Sequence, residues 1–304
     1  MLKLKDLQVQ EMKQGKIDVL VLDINEKQTS KGDPYIVCTV TDGDEKAEVK
    51  FWNTTKASTE KMIQHVISMG IRCDTYNGAA SYLGTTAVFS EKPIEDFIPK
   101  VPEDTRKMYQ FMYDYPFQDN DLKELVQEIL GNNEDKLLYW AAAKSMHHAI
   151  YGGLLYHMYR MTQASEMYKS VYGIEGDLIT AGAILHDIGK LQELETDPMG
   201  TATYTLDGRL FGHLFLGARM VQEAAEKLET PEELTRHLCH IIVSHHGIQE
   251  HGAIVPPATK EAEIVHILDL ADARMYEYED TLKTMEKEEV SDFHRALGHS
   301  IVNL

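Results

Sequence analysis

In the N-terminal third of the chain, apolar residues come in short alternating runs. Further on they recur every three to four positions. Ile17-Asp18-Val19-Leu20-Val21-Leu22, Tyr35-Ile36-Val37-Cys38-Thr39-Val40 and the alternating Ala47-Glu48-Val49-Lys50-Phe51-Trp52 are rich in β-branched and aromatic residues and predict three strands. Ser30-Lys31-Gly32-Asp33-Pro34 and Asp42-Gly43-Asp44 predict the turns between them. A short helix is expected at about residues 55 to 68, then two more strands at Ile71-Arg72-Cys73-Asp74-Thr75-Tyr76 and Thr86-Ala87-Val88-Phe89.

Five strands with one inserted helix are the inventory of an OB-fold, a small barrel that often binds single strands or oligosaccharides. Tyr35, Phe51 and Trp52 are its candidates for base stacking, with Tyr76 and Tyr82 behind them and Lys31, Lys50 and Arg72 nearby in sequence. Strand alternation does not say which of these aromatics face solvent and which pack. Pro93, Pro99 and Pro102 lie in an acidic, weakly periodic stretch. They predict an N-terminal barrel over residues 1–95, a linker over 96–115 and a helical domain over 116–304. The fold class is therefore multi-domain, an all-β barrel followed by an all-α bundle.

The helical part carries chemistry at its apolar stripes. Leu178, Ala181 and Leu185 share a face that runs into His186-Asp187-Ile188-Gly189-Lys190, with Asp177 as the expected N-cap and Gly189 as the stop. Ile150, Leu154, His157 and Met161 follow helical spacing and turn His157 inward; His213 leads a helix with Gly217, Met220 and Val221. Thr230-Pro231-Glu232-Glu233 reads as a capping box for a helix whose stripe, Leu234, Leu238, Ile241, ends in His245-His246. Val265, Asp269 and Asp272 share a side of the last helix. One buried histidine is more often a satisfied core residue than a ligand. Five helices each bringing His or Asp inward make a metal centre the better reading, because a buried carboxylate needs a compensating cation. The candidate ligands are His157, His186, Asp187, His213, Asp269 and at least one of His245 and His246. Mixed imidazole and carboxylate donors suit Mn²⁺, Fe²⁺, Zn²⁺ or Ni²⁺ at one or two centres, and two centres suit phosphoryl chemistry.

The charge of −19 over 304 residues argues against a broad basic surface for duplex binding, so any nucleic acid must meet a local patch, stacking surfaces or metal ions. Three cysteines without a CxxC exclude a disulfide framework and a zinc knuckle. No apolar stretch approaches a membrane span and the start lacks the apolar core of a signal peptide, so a cytoplasmic protein is expected.

The order His157, His186-Asp187, His213, His245-His246, Asp269 resembles the HD superfamily of metal-dependent phosphohydrolases. His147-His148-Ala149, Gly152-Gly153-Leu154-Leu155-Tyr156-His157, Gly208-Arg209-Leu210-Phe211-Gly212-His213 and Ser244-His245-His246-Gly247 resemble, more narrowly, the YhaM family of 3′-to-5′ exoribonucleases. That family joins an OB-fold to an HD domain at about this length. Leu268-Asp269-Leu270-Ala271-Asp272-Ala273 departs from the expected Ile-Asp-Asn-Leu-Asp-Ala but keeps both acids, and the tail after Met275 has no match. The resemblance implies a divalent-metal exonuclease acting on single-stranded RNA, and on single-stranded DNA as a further substrate. Mn²⁺ is the first choice of ion, with Mg²⁺ joining the set above, and a homo-oligomer is implied. Asp187 and Lys190 are assigned to catalysis. His148, Lys190, Arg209 and Asp272 join Tyr35, Phe51 and Trp52 as substrate contacts. The alternatives are an HD phosphohydrolase of mononucleotides or cyclic dinucleotides, and a non-catalytic single-strand binder.

Overall fold

A computed structural model describes residues 2–8, 14–76, 79–142, 150–174, 176–197 and 201–304, and divides the chain into two compact units, Met1–Lys100 and Val101–Leu304. In the first unit β1 (Gln14–Gln28), β2 (Pro34–Thr41), β3 (Lys46–Trp52), β4 (Val66–Tyr76) and β5 (Ala79–Phe89) close into a barrel of order β1-β2-β3-β5-β4. All neighbours are antiparallel except β3 and β5. Closure leaves no open edge to template aggregation. Inward positions alternate as expected, with Ile17, Val19, Ile36, Cys38, Val49, Met69 and Ile71 in one apolar core. Gly43 turns the β2–β3 hairpin at φ +91°, and Asp42 Oδ1 accepts from the amides of Asp44 and Glu45.

The inserted helix is shorter than expected. Only α1 (Lys56–Thr59) and one 3₁₀ turn, Glu60–Met62, precede β4. The reason lies in Val66-Ile67-Ser68-Met69, which buries alternate side chains in the barrel and pairs with β1 instead of extending a helix.

The second unit packs α2 (Thr105–Tyr113), α3 (Asn120–Gly131), α4 (Glu134–Leu137), α5 (Gly153–Tyr172), α6 (Gly176–Leu185), α7 (Lys190–Glu193), α8 (Leu206–Leu228), α9 (Glu232–Ser244) and α10 (Lys260–Leu282) around one core. Residues 101–115, expected as linker, belong to this unit: Asp104 caps α2 by accepting from Arg106 and Lys107 amides, and Met108, Tyr109 and Met112 are buried in the core. The helical unit also carries a small antiparallel hairpin, β6 (Leu194–Thr196) and β7 (Ala202–Tyr204), between α7 and α8.

Local signals were also used differently. Asp177 does not cap its own helix; its Oδ2 accepts from the amides of Gln118 and Asp119 at 2.6 and 2.7 Å, tying α6 to the start of α3. The Thr230 capping box does not form, since Thr230 donates its amide to Ala225 O and closes the end of α8 instead. After α10 the tail folds back through bridges Val290 to Val302 and His294 to His299. Among the described residues no helix is long and apolar enough to cross a membrane.

Leu125 on α3 is fully buried in this core. Leu125→Ala should lower the unfolding free energy of the second unit by about 2–5 kcal/mol in denaturant titration.

Candidate metal centre

The helices end where the chemistry begins. α6 stops at Leu185, four residues before the expected Gly189, and His186 and Asp187 occupy the turn that follows. His186 Nδ1 lies 3.0 Å from Ala183 O, and after α9 His245 Nδ1 lies 2.8 Å from Ile242 O. Each ring thus satisfies a carbonyl that the helix end leaves unpaired. A carbonyl only accepts, so Nδ1 carries a proton in both, which leaves Nε2 as the atom turned toward the centre. On α5, His157 Nδ1 is 2.7 Å from Asp272 Oδ2, and on α8 His213 Nδ1 is 3.0 Å from Glu193 Oε1. Four imidazoles are held by Nδ1, the arrangement that orients metal-ligating histidines.

Their Nε2 atoms converge on Asp187. His157 Nε2 lies 3.1 Å from His186 Nε2 and 3.3 Å from Asp269 Oδ1. His213 Nε2 lies 3.3 Å from His246 Nε2. Asp187 stands between the two sets: Oδ2 is 3.4 Å from His186 and 3.7 Å from His157, whereas Oδ1 is 3.5 Å from His213 and 3.7 Å from His245. The ligand-type atoms of His157, His186 and Asp269, and likewise those of His213, His245 and His246, lie within 4.8 Å of one another. Asp187 Oδ1 is buried without a hydrogen-bond partner among the described residues. Paired lone pairs and an orphaned carboxylate oxygen fit a divalent cation, which both would coordinate.

Electrostatics agrees. Burial opposes ionisation of Asp187, but Lys190 and His186 hold its carboxyl well below the usual range. Burial works the same way on Asp269, and its bond to His157 pulls it down. Burial lowers His245, reinforced by His186, and lowers His246, reinforced by His213, so both stay neutral donors. His157 is the exception: burial opposes its charging, yet Asp269 and Asp272 push it up to about 10. A cation at that lone pair would displace the proton.

Of the expected site residues, the structure brings together His157, His186, Asp187, His213, His245, His246 and Asp269, and places Lys190 Nζ 2.6 Å from Asp187 Oδ2. Lys190 is part-buried in the cavity wall, held there by that ion pair. Asp272 departs from its expected role as a substrate contact. Its Oδ2 faces His157 and its Oδ1 takes Arg160 Nε at 2.6 Å, so both oxygens are engaged within the protein. Arg209 lies on the first turn of α8 over the Tyr204 ring rather than in the cavity wall. His148 lies outside the described residues.

In the barrel the three aromatics separate. Phe51 points inward and packs over Gly84, whereas Tyr35 and Trp52, opposed on β2 and β3, form an outward pair with centroids 4.7 Å apart. Phe51 is therefore half-buried against the barrel core, apart from the outward pair.

Glu193 was missed by the sequence reading. It accepts from both the amide and Nδ1 of His213, and its own carboxyl is held low by those bonds against the effect of burial. Gly212, at φ +70°, breaks α8 so that His213 can face the centre. At Gly189 a Cβ would strike the backbone of His213 and Gly217, so glycine lets the turn approach α8.

Glu193→Ala should reduce divalent-metal affinity by about 10–100-fold, measured by calorimetry or metal competition, with little change in helical content. Unchanged affinity would remove Glu193 from the centre.

A family model for the HD domain matches residues 154–274, the segment that carries every ligand named above. The chain is also 30% identical over 266 residues to the 3′-5′ exoribonuclease YhaM of Oceanobacillus iheyensis, covering 84% of this chain and 83% of that protein. HD domains are metal-dependent phosphohydrolase domains, and divalent metal binding follows from membership. With a barrel, a helical HD domain and this extent of similarity, the chain belongs to the YhaM family of 3′-5′ exoribonucleases.

Proposed function

We propose that the protein removes nucleoside monophosphates from the 3′ end of single-stranded RNA, accepts single-stranded DNA as a further substrate, and uses Mn²⁺ in preference to other divalent ions. The observation that carries this reading is Asp187, whose two oxygens face two separate imidazole sets on the wall of a cavity of about 320 Å³. Divalent ions bound there would supply Lewis-acid polarisation of the scissile phosphate and lower the pKa of water. His157, His186 and Asp269 would hold one ion, His213, His245 and His246 the other, with Asp187 between them.

The remaining work falls to protein groups. Lys190 keeps its charge, since Asp187 more than offsets the effect of burial, and its ammonium is placed to neutralise a phosphate oxygen. Asp272 and Glu193 fix the imidazoles, and the small cavity admits one nucleotide unit at a time, which suits stepwise removal from an end. In the N-terminal unit Tyr35 and Trp52 supply an outward aromatic surface for bases of a longer strand. Family resemblance supports a homo-oligomer, which would offer several such surfaces.

Incubation with 3′- and 5′-labelled oligoribonucleotides, with and without Mn²⁺, tests the reading. A metal-dependent ladder shortening from the 3′ end is expected. Turnover of mononucleotides or cyclic dinucleotides without a ladder, or binding alone, would replace it. Asp187→Asn keeps the volume and removes the charge, so kcat/KM should fall by more than about 100-fold with the fold retained by circular dichroism. Trp52→Ala should raise KM for a long single strand by about 5-fold or more and leave a dinucleotide unaffected. Equal losses on both substrates would show that the barrel does not hold the strand.

A further inference from the structure

The cavity wall has two chemistries. Asp187, Lys190, Asp269 and the imidazoles form one part; Leu194, Tyr204 and Leu270 belong to an apolar part. At about 320 Å³ the cavity is at the small end of ligand pockets, roughly 300–1,000 Å³. Among the described lining residues Tyr204 is the one Tyr, Phe or Trp. Phosphodiester chemistry gives it no task, and the residue is 44% exposed.

Its placement is rigid. Leu194 and Tyr204 are directly opposed in the β6–β7 hairpin, and opposed residues of an antiparallel pair project from the same face. Leu194 is buried while Tyr204 stands open beside it. The residues next to them are bound to each other and to the metal centre. Glu193 holds His213, the Thr205 amide donates to Glu193 O at 3.0 Å, and Thr205 Oγ1 donates to Gln192 O at 2.7 Å. A Cβ at Gly208 would strike the backbone of Glu193, so the first turn of α8 also packs directly on that strand start. Arg209 reaches from that turn to within 5.7 Å of the Tyr204 centroid, a cation–π contact that steadies the ring. An exposed aromatic side chain on a flexible loop would be unremarkable, but one bolted to the residue that orients His213 is built to stay at a fixed place in the cavity.

The geometry points to Tyr204 as the platform on which the base of the terminal nucleotide stacks, beside Leu194, while its phosphate lies at Asp187 and Lys190. This deepens the exonuclease reading and rests on it. Every base has a π-face, so the platform accepts any terminal base and requires only that it be unpaired. Tyr204 is then a positioning residue that recognises a nucleobase, not a catalytic one. The interaction is made before and during the reaction alike, so its loss appears in KM more than in kcat.

The test compares Mn²⁺-loaded wild type, Tyr204→Ala and Tyr204→Trp on oligoribonucleotides with a natural or an abasic 3′-terminal nucleotide, and measures binding of AMP and ribose 5-phosphate by calorimetry. Wild type should cleave the natural end with a kcat/KM about 5- to 150-fold above the abasic end, mainly through KM. Tyr204→Ala should lose that factor on the natural end and almost nothing on the abasic one, and Tyr204→Trp should restore it. Wild type should also bind AMP more tightly than ribose 5-phosphate, and Tyr204→Ala should erase the difference. Equal cleavage of both ends by wild type, or an equal loss by Tyr204→Ala on both, overturns the platform while leaving the exonuclease reading intact. If no oligonucleotide is cut, the exonuclease reading falls, and Tyr204-dependent preference for AMP still decides whether the ring holds a base. A Tyr204→Ala protein that fails to fold leaves the wild-type comparisons to decide.

Discussion

The helical unit is organised by the need to keep one buried carboxylate, Asp187, charged. Removing a carboxylate from water costs several kcal/mol unless cations and hydrogen bonds compensate. Here Lys190 meets one oxygen directly, and the other has no hydrogen-bond partner among the described residues, with the His213 and His245 imidazoles at 3.5 and 3.7 Å. That asymmetry makes the site a receptor for positive charge. It also constrains the fold, since α5, α8, α9, α10 and the turn after α6 must all deliver their side chains to one point. The close backbone approach at Gly189 and the break at Gly212 follow from that demand.

The helix ends solve two problems with one side chain. A helix terminating inside a protein leaves carbonyls without donors, and a metal centre needs imidazoles of fixed tautomer. His186 bonded to Ala183 O and His245 bonded to Ile242 O meet both needs, each three residues back on its own helix. The two readings of such a histidine, as a satisfied helix end and as a ligand, are therefore not alternatives. The same contact that satisfies the backbone aims Nε2 at the centre.

This explains what the sequence made legible. Barrel strands were visible because β3 alternates in polarity and β2 is a run of β-branched and apolar residues, and ligand positions because each lies on or at the end of an apolar stripe of period 3.6. What escaped was whatever depends on contact between distant segments. Glu193 reaches His213 across a two-stranded hairpin whose strands are only three residues long, too short for periodicity to register. Asp272 was seen, but which way its carboxylate would be used depended on Arg160, a turn below His157 on another helix. The stretch from Val101 to Phe117 carried three acids and two prolines among its core residues, and composition outweighed the spacing of Met108, Tyr109 and Met112. Phe51 and Trp52 are adjacent on one strand, and alternation guaranteed that one would face the core without saying which.

An acidic protein that acts on a polyanion must reverse its charge locally. The net charge of −19 repels nucleic acid at long range, and the cavity itself has Asp187, Glu193 and Asp269 against Lys190. A single divalent ion would bring that set of groups to neutrality, and a second would make it positive. The imidazoles, held neutral by burial in His245 and His246, add donors without adding charge. Metal loading would therefore act on substrate admission as well as on chemistry: the carboxylates proposed to bind the ions are the charges that would otherwise exclude the phosphate. On this argument the binding of a strand at the cavity should depend on the ions, whereas stacking on Tyr35 and Trp52, which needs no field, should not.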